Sequence, residues 1–179
     1  MKKRKKQVAV VRCNGGRDTM KTAPGSLAGD CSLLASARPN DAEDCAYGCL
    51  GGGSCIEACP RQAMALNQYR VALVDREKCA GCGLCAKACP RGLIVLVLPE
   101  NTIAPLCANR EPAARAKKQC PVSCLACRLC EKNCPAEAIT VVDNCAEIDQ
   151  NRCISCGMCA VKCPRGVIVD ADGIFTAVA

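Results

Sequence analysis

The sequence contains no histidine and no tryptophan, and its only aromatic residues are Tyr47, Tyr69 and Phe175. Without imidazole the commonest general acid and base of enzymes is missing. With so few rings, no bulky apolar core can form in either half of the chain, and no stacking platform for single-stranded nucleic acid can be built. Long hydrophobic runs are missing too. The longest, Leu93 to Leu98, is far too short to cross a bilayer. The basic opening MKKRKKQ is followed by only four apolar residues before Arg12, which does not make a signal peptide. There is no nucleophile elbow and no dinucleotide fingerprint, and Gly51 to Gly53 lie inside a cysteine motif rather than in a phosphate loop between strand and helix.

Cysteine is what the chain has in quantity, twenty-one in 179 residues. The cleanest pattern is Cys79 to Pro90, CAGCGLCAKACP. It recurs as Cys124 to Pro135, CLACRLCEKNCP, and as Cys153 to Pro164, CISCGMCAVKCP. A stretched copy runs from Cys45 to Pro60 as CAYGCLGGGSCIEACP, with longer first gaps and the same CxxxCP ending. This spacing is the one that holds 4Fe-4S clusters in bacterial ferredoxins. A tight CxxCxxC loop offers three thiolates to three irons of one cube, and the fourth cysteine reaches the other cube of a pair.

The crossing rule assigns four cubes to sixteen cysteines. In the first pair, one cube falls to Cys45, Cys49, Cys55 and Cys89, and the other to Cys59, Cys79, Cys82 and Cys85. In the second pair the sets are Cys124, Cys127, Cys130 and Cys163, then Cys134, Cys153, Cys156 and Cys159. Cys13, Cys31, Cys107, Cys120 and Cys145 are left over. Small buried hydrophobes are their ordinary role, although Cys13 and Cys107 occupy matching places and Cys120 stands four before Cys124. Iron content separates the readings: about sixteen atoms per chain for four cubes, about twenty if the spare thiols hold metal.

Two other uses of cysteine fit less well. A disulfide scaffold needs an oxidising compartment, and nothing in the sequence exports the chain, so a reducing cytoplasm is expected. Zinc sites usually pair two CxxC knuckles, whereas here a third cysteine keeps the same spacing and four CP endings recur. The formal charge of +7 counts every thiol as neutral. Four all-thiolate cubes at about −2 each would bring the loaded protein to about −1, making the basic residues mostly counter-charge. Nucleic acid is therefore not an expected partner.

The expected fold class is α+β: two tandem bacterial-type two-cluster ferredoxin-like domains with short helices and β-hairpins. Residues 1–7 are a basic tip, 8–101 the first domain with its lead-in, and 102–179 the second. Val8 to Val11 reads as a strand, and the polar stretch from there to Cys45 mainly as loop. Each phrase predicts a short helix from near its third cysteine to the proline turn. Hairpins are expected at 63–66 with 71–74, at 139–142 with 146–148, and at 167–169 with 174–178 around Asp172 and Gly173. VAVVRC at 8–13 resembles TIAPLC at 102–107, each followed by Asn within two residues, which makes the halves repeats of one plan. Metal would sit at the centre of each small core, so folding and cluster assembly are expected to be coupled.

The series VAVVRCNGG, CAYGCLGGG, CIEACP, CAGCGLCAKACP and CPVSCLAC resembles the B subunit of Rnf-type electron-transport complexes. The resemblance implies single-electron transfer through four 4Fe-4S clusters, from reduced ferredoxin to flavin or iron-sulfur subunits of a membrane complex that reduces NAD and moves ions. It also implies a place on the cytoplasmic face of the membrane, reached through partner subunits, and no catalysis by the chain alone. Family members begin with a membrane helix and a further cluster domain, which this sequence does not contain. The alternative reading is a polyferredoxin or iron-sulfur subunit of a soluble oxidoreductase.

Overall fold

The computed structural model describes residues 6–15, 29–37 and 45–175. Within them the chain runs β1 (Val8–Val11), α1 (Cys31–Ser36), α2 (Ser54–Glu57), β2 (Met64–Leu66), β3 (Ala72–Val74), α3 (Leu84–Ala88) and β4 (Ile94–Val97). The second half repeats the plan as β5 (Ile103–Pro105), α4 (Ala113–Gln119), α5 (Leu129–Lys132), β6 (Ile139–Val142), β7 (Cys145–Ile148), α6 (Met158–Val161) and β8 (Ile168–Asp170).

Strand pairing respects the halves. The lead strand β1 pairs antiparallel with β4, in the register Val8 with Val97 and Val11 with Ile94, and β2 forms a hairpin with β3. In the second half β5 pairs with β8, and β6 with β7. Each half therefore holds a hairpin between its two cysteine phrases and a second ribbon closed by its first and last strands. The lead strands are buried because short side chains must fill small cores. All four residues of β1 are buried, and so are Ile103 to Pro105 of β5. Cysteines complete both cores: Cys55, Cys79 and Cys85 pack with β1 and β4, and Cys130 and Cys159 with Ile103, Ile139 and Ile168.

Local polar contacts set each second phrase in place. The Asp75 and Asp149 N–H groups donate to the carbonyls of Ala63 and Ala138, at 2.8 and 2.7 Å. Their carboxylates accept the N–H groups of Glu77 and Lys78 and of Asn151, turns that such side chains favour. Their carbonyls accept the N–H groups of Cys79 and Cys153, at 3.1 and 3.0 Å.

Three expectations change. The stretch before Cys45 is not all loop, because Cys31 opens the helix α1, capped by the Asp30 carboxylate on the Ser32 and Leu33 N–H groups. The helices of the phrases are shorter than expected and end two or three residues before the proline, because the fourth cysteine must leave the helix to reach across. The strand after Cys163 does not fold back on residues 174–178 but pairs with β5. Asp170 closes that end, its carboxylate accepting the N–H groups of Asp172, Ile174 and Phe175. Residues 176–178 and most of the basic tip, 1–5, lie outside the described residues.

Candidate metal centres

Each phrase is folded by the same two turns. The residue before the second cysteine position is left-handed in all four copies: Gly51 (φ 69°), Gly81 (64°), Ala126 (54°) and Ser155 (53°). So is the residue two before the third cysteine: Gly53, Gly83, Arg128 and Gly157. These turns deliver the third cysteine to the first helical turn, where Cys55, Cys85, Cys130 and Cys159 are buried. The CP ending is equally regular. The residue three after the fourth cysteine is left-handed, at Gln62, Gly92, Glu137 and Gly166, and the next N–H donates to the cysteine sulfur. Cys59, Cys89, Cys134 and Cys163 accept from Ala63, Leu93, Ala138 and Val167 at 3.3, 3.5, 3.3 and 3.3 Å. Ala9 of β1 adds an N–H to Cys79 Sγ at 3.4 Å.

The groupings expected from the regular phrases are brought together. Cys85 faces Cys79, Cys59 and Cys82, and Cys130 faces Cys124, Cys127 and Cys163. One apolar cavity is lined by Cys134, Cys153, Cys156 and Cys159. The stretched phrase behaves differently. By its left-handed residues on either side, Gly52 stands where the regular copies carry Cys82, Cys127 and Cys156. A side chain there has no room: a Cβ on Gly52 would lie 3.0 Å from Cys31 Sγ and 3.2 Å from Cys31 N. The Cys31 thiol occupies the place of the missing cysteine. Cys31, Cys49, Cys55 and Cys89 line one cavity, and Cys45 is not among its walls. The structure thus brings Cys31, rather than the expected Cys45, to Cys49, Cys55 and Cys89. The signal for it was the run Gly51–Gly53 in the middle of a cysteine phrase, which left one ligand place unfilled.

Burial pushes the third-position thiols far up, Cys55 and Cys159 to about 12 and Cys130 to about 11, and neighbouring cysteines add to the push. Such thiols are neutral unless a cation takes the proton's place. Cys145, fully buried, lies between Cys107 and Cys124; its hydrogen bonds to these two, with burial adding, raise its own pKa and lower both of theirs. Among the described residues no three Cys, Asp or Glu side chains close on a single-ion point. What the fold presents is sets of four thiols around cavities, ringed by N–H donors. A cluster with thiolates at its corners and N–H bonds to its sulfurs requires that arrangement.

Residues 71–94 match the 4Fe-4S binding domain family, and residues 146–169 match a second family of the same description. The B subunit of the Na(+)-translocating ferredoxin:NAD(+) oxidoreductase complex of Acetobacterium woodii is 38% identical over 155 residues, 82% of this chain and 44% of that one. In sequence the chain is a relative of Rnf-type B subunits. Its counterpart in the ion-translocating oxidoreductase complex of Methanosarcina acetivorans is 34% identical, the match covering 82% of this chain and 56% of that one. The B subunit of the proton-translocating ferredoxin:NAD(+) oxidoreductase complex of Clostridium ljungdahlii is 38% identical, with 81% and 51% covered. This Rnf-type B-subunit relative spans about half the length of the curated proteins it matches. A solved chain of a formate dehydrogenase, heterodisulfide reductase and formylmethanofuran dehydrogenase complex from Methanospirillum hungatei matches over 68% of this chain and 51% of its own length, at 22% identity and a TM-score of 0.26, which carries no argument.

Proposed function

We propose that the chain is the cluster-bearing relay of an Rnf-type complex, taking single electrons from reduced ferredoxin and handing them to flavin or iron-sulfur subunits of a membrane assembly that reduces NAD and moves ions. The observation that carries this reading is the fourfold recurrence of one loop, with a buried third thiol and an N–H donated to the fourth. When bound, 4Fe-4S clusters supply reversible one-electron carriage. The residues would do the rest. Cys59, Cys79, Cys82 and Cys85 hold one cluster. Cys124, Cys127, Cys130 and Cys163 hold a second, and Cys134, Cys153, Cys156 and Cys159 a third. The remaining set keeps Cys49, Cys55 and Cys89 and takes Cys31 where spacing alone names Cys45. The apolar walls Val11, Leu66, Ile94, Ile103, Ile139 and Ile148 keep water from the sulfurs. The domain boundary near residues 99–102 follows the strand pairing.

The similarity of the chain to B subunits named as parts of ion-translocating oxidoreductases supports a membrane destination, on the cytoplasmic face and through partner subunits. None of the described helices is long and apolar enough to cross a bilayer. The test is anaerobic: the purified chain is mixed with reduced ferredoxin, and its visible absorbance is followed before and after adding membranes that hold the other subunits and NAD. Bleaching by ferredoxin, then recovery only with those membranes, is the expected result. Absorbance indifferent to ferredoxin overturns the relay. Recovery with a soluble dehydrogenase in place of the membranes moves the destination to a soluble oxidoreductase.

A further inference from the structure

Removing Cys45 from the first set leaves it facing somewhere else. It lies beside Cys107 and Cys120, which come from the other half of the chain. Cys13 lies beside Cys45 and Cys49. Cys13, Cys45, Cys107 and Cys120 all line a single cavity where the halves meet. Cys49 also borders it, but its thiol faces Cys31 and Cys89 on the far side.

The four thiols are two copies of one arrangement. Cys13 follows β1 and Cys107 follows β5. Cys13 Sγ accepts the N–H of Cys49 at 3.4 Å, and Cys107 Sγ accepts the N–H of Cys124, also at 3.4 Å. Cys45 stands four before Cys49, as Cys120 does before Cys124. An arginine from the CPRG turn holds each of these by its backbone: Arg91 donates to the Cys45 carbonyl at 3.3 Å, and Arg165 to the Cys120 carbonyl at 2.9 Å. The local turns are those of cluster ligands. The sulfurs of Cys13, Cys45 and Cys107 accept the N–H two residues on, from Gly15, Tyr47 and Asn109. Cys49 and Cys124, the leading ligands of their phrases, accept from Gly51 and Ala126 in the same way.

We propose that Cys13, Cys45, Cys107 and Cys120 form a fifth four-thiolate site, holding a 4Fe-4S cluster that joins the two halves. The inference rests on the chain being a cluster carrier. Thiols set in one cavity and ringed by N–H donors are an all-sulfur donor set, and a pair of donors from each half makes the halves fix one another. The site touches Cys49 on one side and Cys124 on the other, so it lies between the first set of each half. Cys145 is outside it. Its thiol bonds to the Cys107 carbonyl at 3.2 Å, and its role is to pack beneath the site.

The test is the metal content of the full chain made and kept without air. Wild type is expected to hold about twenty iron and twenty sulfide with no zinc. Cys45→Ser and Cys107→Ser, mutations in different halves, should each remove about four iron, and the double variant should lose no more than either alone. Cys145→Ser should keep all of it. About sixteen iron in wild type, or about sixteen with one zinc, overturns the fifth cluster and leaves the relay standing. Cys45→Ser that loses four iron while Cys107→Ser loses none returns Cys45 to the first set and also overturns it. A variant that sheds most of its iron leaves the wild-type count to decide, and a wild type without iron sinks both readings.

Discussion

Adding one methyl group at Gly52 tests how the first set is built. Gly52 is not left-handed, so Gly52→Ala brings no backbone strain, and its whole effect is steric. The new Cβ would sit 2.8 Å from Leu34 Cδ1, 3.0 Å from Cys31 Sγ and 3.2 Å from Cys31 N. Leu34 can swing its methyl aside, but the Cys31 backbone is tied by its N–H to Ser54 Oγ at 2.8 Å. The start of α1 must therefore shift and carry the Cys31 sulfur with it. Overpacking of this kind costs about 1–3 kcal/mol. At about 1.4 kcal/mol per factor of ten, that weakens one cluster's hold on the order of five- to a hundred-fold. The assay is anaerobic iron release to a chelator, followed by absorbance: one fast phase worth about a fifth to a quarter of the iron should appear, with the rest unchanged. Gly92→Ala is the control. Nothing lies within 4 Å of a Cβ there, and the matching places hold Gln62 and Glu137 at the same left-handed φ. If Gly52→Ala releases iron like wild type, Cys31 is not at the second-ligand place and the account of the stretched phrase fails.

Three further outcomes follow from the same geometry. A Cβ at Gly81 would strike the Gln7 carbonyl at the start of β1, so Gly81→Ala should cost about 2–4 kcal/mol from left-handed strain and the clash together, read as a lower melting temperature; an unchanged transition contradicts the docking of the loop on β1. Burial holds the Cys13, Cys55, Cys130 and Cys159 thiols at about 11 to 12, above the ordinary 9.0, so each surrenders a tightly held proton to take iron. Acid thus opposes loading, and chelator-driven release should quicken between about pH 8 and about pH 6, where a flat rate would refute the argument. Because cysteines occupy both cores, stripping the iron should collapse the fold, and a cooperative thermal transition in iron-free protein would speak against that.

The regular phrases were legible because identical spacing imposes identical turns: three of the four sets follow from counting residues, and the strands 64–66, 72–74, 139–142 and 145–148 follow from alternation around short polar turns. What failed was long-range. The strand at 168–170 pairs with residues 103–105, more than sixty positions upstream, and no local pattern marks that partner, whereas Asp172–Gly173 advertises a turn. Cys31 escaped for a similar reason. It supplies a thiol across space to a loop whose own second cysteine is a glycine, and only the folded chain reveals the substitution. The matched offsets of Cys45 and Cys120, and of Cys13 and Cys107, were visible in the sequence, but not that the two halves bring them to one cavity.

The central claim is that the cysteine loops hold redox-active clusters that exchange single electrons. Low-temperature electron paramagnetic resonance on air-free protein, before and after dithionite, tests it most directly. The account predicts a nearly silent oxidised sample and, on reduction, strong signals broadened by coupling between neighbouring clusters. A reduced sample that stays silent would contradict it.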